Sequence, residues 1–364
     1  MIKLLLFLSF TIMITACGHD TTSTPLLTIP DKNDTNASAG IFQQPIPYHD
    51  SANIPLLTSG YGSFGRHEVS VKNIPNSSYP AYASRNLKTT LFYPADLNAS
   101  RPTLFFYAGA EVNDVNTYKG LFYFVASKGY NIIFITYPNY ELRALPTATQ
   151  DALDAFSAHI DRNKVGFMGH SMGAGVAFWI INQFSNLGSE GRLLFPMASG
   201  YSAFNVSNMI PTDKNITLPP NTKMFLQMYA KDGSTDIRIG IDLFLNNTIP
   251  NIDKDFIFVY GDDNHIADHG SMAGGSFDGL RQRTIFRPLD ALMDEAFNHN
   301  TQARGTLKSQ SAQDIYFHPY IGKTPQVDIK PYILPEASYP FNCSEAQAGH
   351  YISKRKEYCK ALGL

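Results

Sequence analysis

The sequence predicts an α/β protein whose mostly parallel sheet is covered by helices on both faces. Three observations carry that expectation. Six short runs, TLFFYAG (103–109), NIIFITYP (131–138), KVGFMG (164–169), RLLFPMA (192–198), KMFLQMYA (223–230) and DFIFVYG (255–261), are almost continuously apolar, as strands are when both faces are buried. Longer stretches of helical patterning stand between them, and the repeated order strand, helix, strand is the signature of a parallel sheet with helices packed on it. A chain of 364 residues is also long enough to bury one substantial core.

The elements follow in order. Two β-rich runs, HEVSV (67–71) and LKTTLFYP (87–94), open the sheet as a pair of strands. Helices are expected over 116–127, 147–160, 172–184, 236–245 and 287–298. The last carries Pro288 in its first turn, where a missing N–H is not felt. Trp179, the single tryptophan, falls on the third of these helices and is expected in the core. Beyond residue 300, FHPYIGKTPQVDIKPYILPEASYPFNC is rich in Pro and aromatic residues and reads as an extended strap lying on the domain, followed by the helix-like run ISKRKEYCKAL. No internal repeat interrupts this order.

With Lys+Arg 29 against Asp+Glu 31 and a formal net charge of -2, the chain lacks the basic surplus that holds a polyanion, and nucleic acid is excluded as a partner. The N-terminus has a different character. Lys3 precedes an apolar run, 4–14, that is too short to span a bilayer and has the layout of an export signal. Ile14-Thr15-Ala16-Cys17 resembles the lipobox of bacterial lipoproteins. That resemblance implies that Cys17 is diacylated and begins the mature chain, which then hangs from a membrane by its lipid. Gly18 in the next position implies the outer membrane in a Gram-negative host. The expected organisation is a signal peptide (1–16), a tether rich in Thr, Ser, Asn and Pro (17–60), an α/β domain (61–300) and the C-terminal strap (301–364). Once the lipid claims Cys17, Cys343 and Cys359 remain. In an oxidising compartment this even remainder suggests a disulfide pinning the tail. Neither stands beside a set of metal ligands, and no metal is expected.

One short stretch carries chemistry. KVGFMG reads as a buried strand and GAGVAFWI as the helix after it, so Gly169-His170-Ser171-Met172-Gly173 is the turn between them. It matches G-x-S-x-G, in which Ser sits on a strained bend and the glycines let neighbouring backbones approach closely. On these residues, and on RPTLFFYAGAEVNDVNTYKGLFYFVASKGYNIIFITYP (101–138), the sequence resembles the α/β-hydrolase superfamily, in particular its dienelactone hydrolase, chlorophyllase and polyester hydrolase branch. The resemblance spans roughly Arg66 to Asn298.

It implies a Ser-His-Asp triad in the chain order Ser, acid, His, with Ser171 as nucleophile. A serine hydroxyl needs a base to take its proton and a carboxylate to orient that base. The loop after KMFLQMYA supplies Asp232 and Asp236. STDIRI resembles the family's acid followed by an aliphatic residue and favours Asp236, with Asp232 as alternate. The loop after DFIFVYG supplies His265 and His269. His265 lies nearer the strand end, whereas ADHGSM resembles the polyester hydrolase pattern around the base and favours His269. A spacing of four between them also suits metal ligands, but no third ligand stands nearby. His170, usual in such an elbow, need not be catalytic. The oxyanion hole is expected from the N–H groups of Met172 and Ala110, the latter in the Ala108-Gly109-Ala110 loop. The reading is acyl transfer to water on a small-molecule or lipid carboxylic ester, without a cofactor. The alternative is a surface lipoprotein that keeps the scaffold as a binding module without catalysis. Oligomeric state is not legible in the sequence.

Overall fold

Buried apolar runs become strands here because the chain alternates which side it shows to each of two cores. The computed structural model describes residues 55–138, 141–199, 216–229, 232–235, 240, 243–245, 247–259, 267–270, 278–308 and 317–321. The chain order is β1 (Val69–Pro75), β2 (Lys88–Pro94), β3 (Arg101–Tyr107), α1 (Lys119–Ser127), β4 (Asn131–Ile135), α2 (Leu145–Ala155), β5 (Ile160–His170), α3 (Met172–Gln183), β6 (Gly191–Met197), β7 (Thr222–Tyr229), β8 (Lys254–Val259), α4 (Arg287–Asn298), α5 (Ala303–Lys308) and β9 (Phe317–Ile321). Among the described residues these strands form one nine-stranded sheet in the order β1-β2-β4-β3-β5-β6-β7-β8-β9. The six strands from β4 to β8 run parallel, while β1 and β2 at one end and β9 at the other pair antiparallel.

Phe105, Tyr107, Val165 and Phe167 face a core shared with α2 and α3. Their neighbours Leu104, Phe106 and Met168 face the opposite core, shared with α1 and α4. Burying such side chains contributes about 1.5–3 kcal/mol each against leaving them in water, which is what selects a sheet closed on both faces over an exposed one. Trp179 is half-buried and packs against the α2/α3 core.

The helix expected over 147–160 is shorter: α2 stops at Ala155, and Ile160 already belongs to β5, where it pairs with Arg101. Chain cannot remain helical and reach that register, so residues 156–159 form the bend. The helix expected over 116–127 opens as a 3-10 turn, Val115–Tyr118, capped by the Asp114 side chain on the Asn116 N–H. The tether gives way to packed structure before residue 60. Gln282 pairs with both backbone groups of Leu57, at 2.5 and 2.7 Å, and Leu56 packs on the α1/α4 core. The strap contributes α5 and then β9, which among the described residues is the edge strand next to β8, a place where Pro319 is tolerated because an edge has one side free of ladder bonds. Cys17, Cys343 and Cys359 lie outside the described residues, as does most of the helix expected over 236–245. No described helix is long and apolar enough to cross a membrane.

From β3 the chain steps to β4 on one side, and from β5 to β6 on the other. The carboxyl ends of β3 and β5 therefore flank the point where the connections diverge. In an open parallel sheet this is where a crevice forms and ligands bind.

Candidate active site

The elbow is built by exclusion of side chains. A Cβ on Gly173 would stand 2.0 Å from the Tyr107 carbonyl oxygen and 2.4 Å from that of Ala108; one on Gly169 would stand 2.3 Å from the Gly173 oxygen. Only glycine lets the start of α3 lie this close to the end of β3. The residue between them takes the strain. Ser171 has φ 58° and ψ -121°, a left-handed setting that side chains other than glycine rarely adopt. Its N–H donates to the Met197 carbonyl at 2.9 Å, tying the bend to the end of β6.

Serine just before a helix ordinarily caps it by accepting a first-turn N–H. Ser171 makes no such bond. The residue is only 8% exposed beside the N-terminus of α3. Met172, the first residue of α3, is buried, and its N–H belongs to the first-turn amides that have no acceptor within the helix.

The loop after β3 comes alongside. A Cβ on Gly109 would touch the Ser171 Cβ at 3.3 Å, so this backbone runs directly past the serine. The loop turns tightly: the Val112 N–H donates to the Gly109 carbonyl at 3.2 Å, and Glu111 takes φ 60°. That turn leaves the N–H of Ala110 outside its own hydrogen bond. Two buried tyrosines hold one peptide of the loop from both sides. The Tyr137 hydroxyl donates to the Ala108 carbonyl at 2.5 Å, and the Tyr118 hydroxyl accepts the Gly109 N–H at 3.1 Å.

His269 follows β8 and Asp232 follows β7, so both lie at the same carboxyl end of the parallel strands as Ser171. His269 Nδ1 bonds Asp232 Oδ2 at 2.8 Å. The carboxylate is 1% exposed, yet it is fully partnered: Oδ1 accepts the N–H groups of Ser234 and Thr235 at 2.8 and 2.9 Å, and Oδ2 also accepts the Thr235 hydroxyl at 2.6 Å. Burial works to raise its pKa, but the neighbouring His269 and the Thr235 bonds outweigh it and hold the carboxyl below the usual carboxylate range. The ionised, immobilised carboxylate occupies Nδ1, so Nε2 is the His269 nitrogen turned away from it.

The His269 ring reaches the elbow. It packs on the ring of His170, the neighbour of Ser171, with centroids 4.6 Å apart. His170 is itself buried, and its Nε2 bonds the His269 carbonyl at 3.0 Å. Burial, followed by the nearness of His269, lowers the His170 pKa to about 3, so this imidazole is neutral.

Five of the residues singled out in the sequence, Ser171, Met172, Ala110, Asp232 and His269, stand at the carboxyl end of the parallel strands. Sequence pattern favoured Asp236 as the acid; the carboxylate seated on His269 is that of Asp232, whose turn also offers two backbone N–H groups and a hydroxyl. Asp236 and His265 lie outside the described residues. Tyr118 and Tyr137 were not singled out. Their signal was a hydroxyl-tipped aromatic at the edge of an apolar run, which also fits an ordinary core residue. Among the described residues no group of three or more His, Cys, Asp or Glu comes together as a metal site. No protein-family model matches the chain, and no curated protein matches it.

Proposed function

We propose that the chain is a serine hydrolase of the α/β-hydrolase type that cleaves carboxylic esters, held at a bacterial membrane by a lipid on Cys17. The observation that carries this reading is the strained Ser171 between β5 and α3, with the His269–Asp232 pair packed on its neighbour His170 in the chain order Ser, Asp, His. A serine in a plain turn needs neither the backbone strain nor the two glycines that make it possible.

In the reaction Ser171 Oγ attacks the ester carbonyl carbon while His269 Nε2 takes its proton. The tetrahedral oxyanion sits between the N–H groups of Met172 and Ala110. Collapse breaks the bond to the alcohol oxygen, which leaves with the proton from His269. Water then repeats the sequence on the acyl-enzyme and restores Ser171. Asp232 keeps the imidazole in the correct tautomer and steadies its positive charge. No cofactor enters these steps.

A fluorophosphonate probe and a short-chain chromogenic ester test the proposal. The expected result is labelling and turnover by the full chain, and neither by Ser171→Ala. Equal labelling of both proteins, or none of the full chain, removes the assignment and favours a binding module.

A further inference from the structure

The residue before the nucleophile is not idle packing. We propose that Tyr118 and His170 are positioning residues that link the oxyanion loop to the loop of the catalytic base through one continuous, one-directional hydrogen-bond relay. The proposal rests on the assignment of Ser171 and His269 made above.

The direction follows from which groups can donate. The His269 carbonyl can only accept, so the His170 Nε2 that meets it at 3.0 Å carries the proton. A neutral imidazole with its proton on Nε2 has an acceptor at Nδ1, and the Tyr118 hydroxyl lies 3.2 Å from that atom. Tyr118 therefore donates there, and its oxygen accepts the Gly109 N–H at 3.1 Å. Each group gives one hydrogen bond and receives one, with nothing left over. The whole relay is buried: Tyr118 is 1% exposed and His170 5%.

Both ends matter to catalysis. Gly109 shares its peptide with Ala108, whose carbonyl is held by Tyr137, so Tyr118 completes a two-sided grip on that plane. The next peptide along carries the Ala110 N–H, and its direction follows from the plane before it. At the other end, the bond to the His269 carbonyl holds the backbone from which the base projects. The His170 ring packs on the base itself. A single buried chain thus sets the distance between oxyanion donor and base, two parts that must act on the same substrate carbonyl.

Tyr118→Phe keeps the ring and removes both hydroxyl bonds; His170→Phe keeps a ring and removes both nitrogens. For each, kcat on the chromogenic ester is expected to fall by roughly 10- to 100-fold, less than follows outright loss of an oxyanion donor, with KM changed by less than about twofold. His170→Gln retains a donor toward the His269 carbonyl and is expected to recover most of the loss. A role confined to packing would lower thermal stability and leave the kcat of the folded protein unchanged, which would overturn the relay. So would failure of His170→Gln to exceed His170→Phe. Should the phenylalanine variants not fold, imidazole nitrogen NMR of the full chain decides: His170 with its proton on Nε2 supports the relay, and a proton on Nδ1 overturns it. Failure of the two ideas is separable. Absence of fluorophosphonate labelling in the full chain overturns the hydrolase and the relay together, whereas a labelled full chain with unimpaired Tyr118→Phe overturns the relay alone.

Discussion

Replacing Asp232 by Asn tests the site at its most constrained point. Asn keeps the size of the side chain and one acceptor oxygen, which must stay on the Ser234 and Thr235 N–H groups, since turning the amide would set its NH2 against both. The NH2 then occupies the Oδ2 position, where the carboxylate accepted His269 Nδ1 at 2.8 Å and the Thr235 hydroxyl at 2.6 Å. A hydroxyl can rotate to accept instead. The imidazole can relieve the clash only by moving its proton to Nε2, the nitrogen that in the proposed reaction receives the proton of Ser171. Loss of one hydrogen bond to a charged group costs about 1.5–3 kcal/mol of stability, a tolerable amount. Activity suffers more: a triad carboxylate replaced by its amide lowers turnover by roughly 10^4-fold, which corresponds to about 5.5 kcal/mol of transition-state stabilisation. The measurement is kcat/KM on a short-chain chromogenic ester, with Ser171→Ala and Asp236→Asn beside it. If Asp232→Asn stays within about tenfold of the parent while Asp236→Asn collapses, the acid is Asp236 and the reasoning from geometry is wrong.

The folded pKa of Asp232 lies below its unfolded value, so its contribution to stability is present above the unfolded value of about 3.9 and is lost as pH falls through the folded one. Chemical denaturation should accordingly show the stability gap between parent and Asp232→Asn narrowing below about pH 4, and a gap that widens in acid contradicts the assignment of an ionised carboxylate. Gly173→Ala places a Cβ 2.0 Å from a backbone oxygen, so β3 and α3 must separate. The expected cost is about 1–3 kcal/mol or more, with fluorophosphonate labelling slowed over 100-fold in the protein that still folds, because a misplacement of about 1 Å is worth roughly that factor. Labelling at the parent rate would show that the elbow tolerates a wider bend. Phe167→Ala empties a fully buried ring position stacked on Phe105, with centroids 5.5 Å apart. A loss of about 3–5 kcal/mol and roughly 10 °C in thermal midpoint is expected by calorimetry, and a shift under about 2 °C would mean that the cavity collapses.

What the residue order determined by itself was whatever depends on neighbours along the chain. Continuous apolar runs such as NIIFI and GFMG fit strands covered on both faces, and β4 and β5 form there. Gly169 is a local requirement too, since a Cβ there would stand 2.3 Å from the Gly173 carbonyl oxygen of the same turn. Tertiary structure decided what depends on residues far apart in sequence. Asp232 and Asp236 are both plausible acids by spacing; that the Asp232 carboxylate meets His269, 37 residues on, depends on how β7 and β8 deliver their loops. Nothing in an isolated Tyr118 announces that its hydroxyl meets an imidazole 52 residues away, nor in FHPYI that it pairs with β8. A hydrogen bond between distant groups is a property of the packed sheet, because only burial removes the water that would otherwise satisfy each partner alone.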